Sequence, residues 1–371
     1  MPRLFDPWQL GPLALDNRIL IAPMCQYSAV DGVPADWHTL HLGQLAMSGA
    51  ALLIVEATAV SAQGRITPGC TGLYDDAQEA AFARLLALLR RVAPIKLAVQ
   101  LGHAGRKASS RAPWDGGLQI PHDEPGGWPA VSASALPHAP GEEAPAALDA
   151  AGLRQVRQDF VDAAQRAVRA GFDGIELHAA HGYLLHQFLS PISNRREDDH
   201  GGSLERRLRF PLEVFDAVRA AVPAQLPVWV RVSATDWVDG GWDLDSTIAF
   251  GQAMKVRGCA AMHVSSGGIS PLQRITLGPG YQVPLAQAVK AAVGLPTIAC
   301  GLITEPEQAE AVIAEGRADA VALARAMLYD PRWPWHAAAR LGAQVEAPKP
   351  YWRAAPRDVK DLFKGSRIGM R

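Results

Sequence analysis

The 371-residue sequence carries 36 Lys and Arg against 37 Asp and Glu, with 49% hydrophobic and 20% charged residues. It is too apolar and too close to neutral for a disordered chain, and it offers no electrostatic footprint for nucleic acid or an anionic membrane surface. The four cysteines (Cys25, Cys70, Cys259, Cys300) are scattered with no CxxC pair, no run nears the roughly 20 apolar residues of a membrane span, and the start MPRLFD lacks signal-peptide order, so a cytoplasmic protein is expected.

In chain order, residues 1–17, with turn signals at Gly11-Pro12 and Asp16-Asn17, read as a hairpin. Eight short apolar runs follow: Ile19–Pro23, Ala51–Ala57, Lys96–Leu101, Gly174–His178, Val228–Ser233, Ala261–Ser266, Pro296–Gly301 and Ala320–Arg325. Each has the length and continuous apolar character of a parallel strand buried on both faces. Helical periodicity lies between them, at 76–91, 152–170, 245–257, 284–293 and 305–315, and along Leu204, Leu208, Leu212, Phe215 and Val218. Alternation of eight strands with helices predicts a single-domain α/β protein, a (β/α)8 TIM barrel. The competing doubly wound sheet calls for a GxGxxG after the first strand, where Met24-Cys25-Gln26-Tyr27 stands instead.

Two stretches exceed a minimal barrel. Residues 103–149 hold seven Pro and six Gly and read as a long loop over a site. Residues 344–371 carry seven Lys and Arg against three Asp and Glu, which by composition alone is a solvated tail.

Barrel enzymes place their chemistry at the C-terminal strand ends, and polar residues cluster there in this sequence. Arg231 interrupts an apolar strand and needs an anionic or polar partner. Gly301 and Arg325, after strands seven and eight, suit a phosphate, with an ordinary surface arginine as the alternative. His178 and His181 can both donate to one carbonyl oxygen. The same pair also admits a zinc site with His103, or plain core histidines.

The runs PMCQYS (23–28), EATAV with QGRITPG (56–69), QLGHAGRKAS (100–109) and ELHAAHGYLLHQFLSPISNRREDDHGGSLERRLRF (176–210) resemble the old yellow enzyme family of FMN-dependent ene-reductases, in particular its YqjM and xenobiotic reductase A-like subgroup. The resemblance spans essentially the whole chain. It implies tightly held, non-covalent FMN contacted by Ala22, Pro23, Met24, Cys25, Ala57, Gln100, Arg231, Gly301, Ala324 and Arg325; relatives usually have Gly where Ala324 stands. It further implies a ping-pong reaction in which NADPH or NADH reduces the flavin, which then reduces an activated alkene such as an α,β-unsaturated ketone, aldehyde or maleimide. His178 and His181 would hold the carbonyl, Tyr183 or water would supply the α-proton, and Tyr27 would contact the substrate oxygen. Cys25 stands where the wider family usually has Thr, and would tune the flavin through a weak hydrogen bond. By their place at the mouth of the long loop, Lys107 and Arg106 suit the NADPH phosphates or the substrate, with ordinary solvated loop cations as the alternative. Trp352 would shape the pocket, and Arg353 would reach a neighbouring subunit's site in a homodimer or homotetramer, turning the tail into an interface. Other FMN-barrel dehydrogenases or demethylases, a metal-dependent barrel hydrolase and a non-catalytic flavin protein are the alternatives.

Overall fold

The computed structural model describes residues 2–359 and 361–367. Eight parallel strands close into a barrel in chain order: β1 (Ile19–Ile21), β2 (Leu52–Ala59), β3 (Lys96–Gly102), β4 (Gly174–Ala179), β5 (Val228–Ser233), β6 (Met262–Ser265), β7 (Thr297–Ala299) and β8 (Ala320–Leu323). The strands are buried almost throughout, because barrel side chains fill the interior on one face and meet helices on the other. That is why they read as unbroken apolar runs. Four strands, β1, β6, β7 and β8, stop short of the expected ends. Ala22 still donates its N–H to Leu323 O (2.9 Å), but Pro23, Gly301 and Arg325 lie in the loops at the barrel mouth, and Arg325 opens a short helix, Arg325–Tyr329.

Helices Asp76–Val92, Ala150–Ala170, Leu204–Ala221, Leu244–Lys255, Val283–Val293 and Pro306–Ala314 occupy the expected intervals. Ala150–Ala170 shows how they form. Asp149 caps its start by accepting from Gly152 N (2.7 Å). Leu153, Val156, Phe160, Ala164 and Ala167 bury one stripe, and Gly171 ends it at φ +96°. Helix Asp36–Ala46 is additional. Two of its buried residues are His38 and His41, which hide its apolar stripe from a hydropathy reading.

A hairpin of Trp8–Leu10 against Leu13–Leu15 precedes the barrel. The long 103–149 segment is mostly irregular, apart from two 3-10 turns and the two-residue parallel pairing of Val131–Ser132 with Ala146–Ala147. Of the 344–371 tail, Lys360 and residues 368–371 lie outside the described residues. The rest folds back, so that Val345, Leu362 and Phe363 pack with Trp335 in a small second core. Among the described residues, no helix is long and apolar enough to cross a membrane.

Candidate active site at the barrel mouth

The loops after β4 to β8 enclose a cavity of about 340 Å³, within the usual range for small-molecule sites. Ala22, His181, Arg231, Gly301, Ala324 and Arg325 line it, together with Ser265 at the end of β6 and with Ser266, Tyr281, Gln282 and Cys300 from loops, residue types that carry no sequence signal. A narrower neighbouring recess is bounded by Ala57, His103, His178 and Tyr183.

Arg231 sits in β5 in register with His178 of β4 and His263 of β6. It is 9% exposed, its Nε has no hydrogen-bond partner, and it makes no ion pair among the described residues. A buried cation with no anion in direct contact is costly, so the cavity is built to receive electron-rich or anionic groups. Gly301 contributes a backbone at φ +100°, where a side chain would be strained and would press on Gln282. Arg325 lies exposed at the outer end of the same cavity.

His178, His181 and Tyr183 form one aromatic cluster. The His178 ring lies 5.1 Å from that of His181 and 4.8 Å from that of Tyr183, edge to face in both cases. Ala180 N donates to His178 Nδ1 (3.2 Å), which places the imidazole proton on Nε2 as a donor. His181 Nε2 is 2.7 Å from Ser265 Oγ; with Ser265 as donor, the His181 proton sits on Nδ1. Burial, followed by the Arg231 charge, holds both imidazoles well below their ordinary pKa. Both therefore stay neutral donors at physiological pH. Burial also pushes the Tyr183 phenol up, so it keeps its proton.

His181 stands at φ +57° in a tight turn fastened from behind. Lys107 Nζ donates to His181 O (2.9 Å) and Gly268 O (3.1 Å) and lies 5.0 Å from the Tyr183 ring centre; burial lowers its pKa to about 8. Within this chain Lys107 is thus a strut behind the histidine turn, its ammonium held by two backbone carbonyls. Gly182, at φ +77°, touches the Gly268 loop so closely that a Cβ would run into the Gly268 carbonyl. Gly182→Ala is therefore expected to cost about 2–5 kcal/mol through left-handed strain plus overpacking, read as a lower urea midpoint.

At the first strand end, Glu56 Oε2 accepts from Gln26 N (2.9 Å) and Oε1 meets His38 Nε2 (3.1 Å), which anchors the Met24–Gln26 loop. Tyr27 adopts φ +51° and packs edge-on to Trp114. Burial raises the Cys25 thiol well above its ordinary pKa, which disfavours a nucleophilic thiolate there. Gln100 is turned into the barrel, donating to Glu176 Oε1 (2.7 Å). Trp352 packs in the tail core with its Nε1 on Ala347 O (3.1 Å), and Arg353 is exposed; neither borders its own chain's cavity. His103 Nδ1 is occupied by Gly105 N (3.0 Å). Among the described residues, the one set of three metal-ligating groups close together is His122, Asp123 and Glu143, out on the long loop.

Neutral buried histidines make the fold acid-sensitive. Burial lowers His103 to about 4 and, with Arg231, holds His178 and His181 well down. The unfolded chain binds these protons near pH 6.5 and the folded chain does not. Their contribution is therefore complete above pH 6.5 and falls as pH drops below it. His263 works oppositely: burial disfavours its charge, but Glu176 outweighs burial and raises its pKa, so its contribution is lost as pH rises. The net expectation is a protein about 1–3 kcal/mol less stable at pH 5.5 than at pH 7. Guanidinium midpoints at the two values check it, and an equal or higher midpoint at pH 5.5 would contradict it.

A parallel barrel whose mouth joins an unpartnered buried cation to two neutral imidazole donors and a phenol defines a cofactor-dependent barrel enzyme. The chain belongs to the NADH:flavin oxidoreductase / NADH oxidase family, whose profile matches residues 3–344. It is similar to the NADPH dehydrogenase of Geobacillus thermodenitrificans, 41% identical over 352 residues covering 94% of this chain and 98% of that protein. A NADH:flavin oxidoreductase of Gibberella zeae is 42% identical over 361 residues, covering 93% of this chain and 87% of the relative. Among solved structures, morphinone reductase superposes with a TM-score of 0.76 at 30% identity, covering 99% of this chain and 94% of that one; another of its structures holds tetrahydroNAD. The resemblance to the old yellow enzymes therefore holds: the protein is an oxidoreductase with FMN as its cofactor and a nicotinamide nucleotide as its hydride donor. The unpartnered Arg231 guanidinium is the observation that fits FMN to this cavity.

Proposed function

We propose that the protein is an ene-reductase of the YqjM and xenobiotic reductase A-like subgroup, reducing the C=C bond of activated alkenes such as α,β-unsaturated ketones, aldehydes and maleimides. The observation that carries this reading is the His178–His181–Tyr183 cluster, with two neutral donors beside one protonated phenol at the cavity mouth. When bound, FMN would supply the redox chemistry that links NADPH or NADH to the alkene β-carbon.

The residues of the chain do the rest. Arg231 would hold the pyrimidine edge of tightly but non-covalently bound FMN, where negative charge gathers on reduction, while Gly301, Ala324 and Arg325 would hold its phosphate. Ala22, Pro23, Met24, Cys25, Ala57 and Gln100 would form the remaining contacts, with the Cys25 thiol as a weak donor toward the flavin. His178 Nε2–H and the His181 ring donate to the substrate carbonyl, with Tyr27 beside it, so that the β-carbon becomes electron-poor. Tyr183 holds a proton for the α-carbon. Its high pKa is no obstacle, because protonating an enolate is downhill. Arg353, exposed on the tail and far from its own cavity, is assigned to a neighbouring subunit's site in a homodimer or homotetramer, with Trp352 beside it.

Anaerobic titration tests the reading. NADPH should bleach the flavin absorbance and 2-cyclohexenone should restore it. A flavin that NADPH bleaches but neither an enone nor a maleimide restores would refute the ene-reductase assignment.

A further inference from the structure

Beneath the cavity the barrel interior is polar, where branched apolar side chains usually fill it. Gln100 of β3, Glu176 of β4 and Trp229 of β5 stand in register as one layer. Arg231 of β5 and His263 of β6 stand in register one layer nearer the mouth. Glu176, Trp229 and His263 are fully buried. The Glu176 carboxylate accepts three N–H bonds, from Gln100 Nε2 to Oε1 (2.7 Å) and from Trp229 Nε1 (2.6 Å) and His263 Nδ1 (2.8 Å) to Oε2. An ionised carboxylate only accepts, so the imidazole proton facing it sits on Nδ1. The proposed reaction uses Arg231 but neither Glu176 nor His263.

This arrangement holds two opposite charges apart. Glu176 and Arg231 are separated along the barrel by two residues, roughly 7 Å of strand. Each buried charge is costly in isolation, and pairing them is the ordinary way to lower both costs. The two are within each other's field: burial disfavours the ionised carboxylate, but His263 and then Arg231 outweigh it and keep its pKa low. Yet among the described residues Arg231 makes no ion pair, its Nε has no partner, and its side chain lines the cavity. The donor that completes Oε2 is Arg231's own neighbour in register, His263.

We propose that His263 is a positioning residue for the cofactor: by completing the hydrogen bonds of Glu176, it keeps Arg231 from turning down onto that carboxylate and leaves the guanidinium at the cavity for FMN. The inference rests on the assignment of Arg231 to FMN under the proposed function. Without the imidazole, Oε2 keeps only the indole donor, and the guanidinium gains a buried anion within reach. The cofactor-free barrel then exchanges one buried contact for another and loses little. FMN, by contrast, has to compete with Glu176 for Arg231. Reduced FMN loses more than oxidised FMN, because more negative charge gathers at the edge Arg231 would hold.

The test is FMN binding by full-length protein freed of cofactor, read by quenching of flavin fluorescence, together with the midpoint potential of the reloaded protein. His263→Leu should bind oxidised FMN about 10-fold and reduced FMN about 100-fold more weakly, which lowers the potential by ~30 mV. His263→Phe, which fills more of the imidazole's space, should behave alike. His263→Asn keeps an N–H donor at the reach of Nδ1 and should bind within about threefold of the parent. Adding Glu176→Gln to His263→Leu should restore binding to within about threefold of the parent, because no carboxylate remains to draw Arg231 away. In an Arg231→Met background, His263→Leu should change FMN binding by less than about threefold, because no guanidinium remains to divert. A purely structural role for His263 would produce neither the rescue nor the silence. The proposal is overturned by a leucine variant that binds like the parent, by a loss that persists beside Glu176→Gln or in the Arg231→Met background, or by leucine and phenylalanine variants that both fail to fold. If Arg231→Met itself binds FMN like the parent, the assignment of Arg231 falls and this proposal with it. If Arg231→Met binds weakly and His263→Leu does not, this proposal falls alone.

Discussion

Arg231→Met is expected to weaken FMN binding by about 10²–10³-fold, equivalent to roughly 3–4 kcal/mol, while leaving the cofactor-free barrel at least as stable as the parent. The two halves of this expectation have one cause. In the cofactor-free protein the Arg231 guanidinium is 9% exposed, lacks an ion-pair partner among the described residues and leaves Nε unsatisfied. Such a charge destabilises the fold that holds it. Methionine has similar length, fills the same space and removes that cost. What it cannot do is supply charge-assisted donors to a bound group whose negative charge grows on reduction. The reduced flavin should therefore be released more readily than the oxidised form, and the midpoint potential should fall. Fluorescence titration with FMN and thermal melts of the apoprotein check the two halves. A variant that binds FMN like the parent, or whose apoprotein melts lower, would show that Arg231 has a protein partner and a structural role.

The barrel was legible in the sequence for a physical reason that also limits what else could be read. Parallel strands covered on both faces appear as short apolar runs, and all eight correspond to strands. Helix Asp36–Ala46 was not legible, because it buries His38 and His41 where hydropathy looks for Leu or Val. Of the residues picked from strand ends, His181, Arg231, Gly301, Ala324 and Arg325 converge on one cavity, and His178 and Tyr183 stand beside it. A strand end is fixed by fold class, so its residues can be assigned before any coordinates are known. Direction is a different matter. Lys107 reads as a basic residue at the mouth of the long loop, and the structure shows its ammonium received by two carbonyls from separate left-handed turns. Glu176 and His263 lie on strands separated by dozens of residues, and nothing local marks them as neighbours until the barrel closes.

His178→Leu is expected to slow reoxidation of the reduced protein by 2-cyclohexenone by about 10²–10³-fold, the usual cost of removing one preorganised donor from a site of developing oxyanion charge. The geometry makes His178 the firmer of the two donors. Its Nδ1 is committed to Ala180 N, so its proton can stand only on Nε2, whereas the His181 ring shares its Nε2 with the Ser265 hydroxyl. Burial, and then Arg231, keep His178 neutral far below its ordinary pKa. The imidazole therefore does not titrate between pH 6 and 8, and the parent's reoxidation rate should show no histidine limb there. His178→Asn retains an N–H donor and should recover much of the loss, to within about 10-fold of the parent, which separates hydrogen bonding from mere packing of the ring. Anaerobic stopped-flow measurement across that pH range reads all three expectations. A leucine variant within about threefold of the parent, below the effect of one lost donor, would remove His178 from the carbonyl site. A parent rate that falls on acidification with an apparent pKa near 6.5 would show that the ring is not held neutral, and that the buried position of Arg231 beside it does not control its charge.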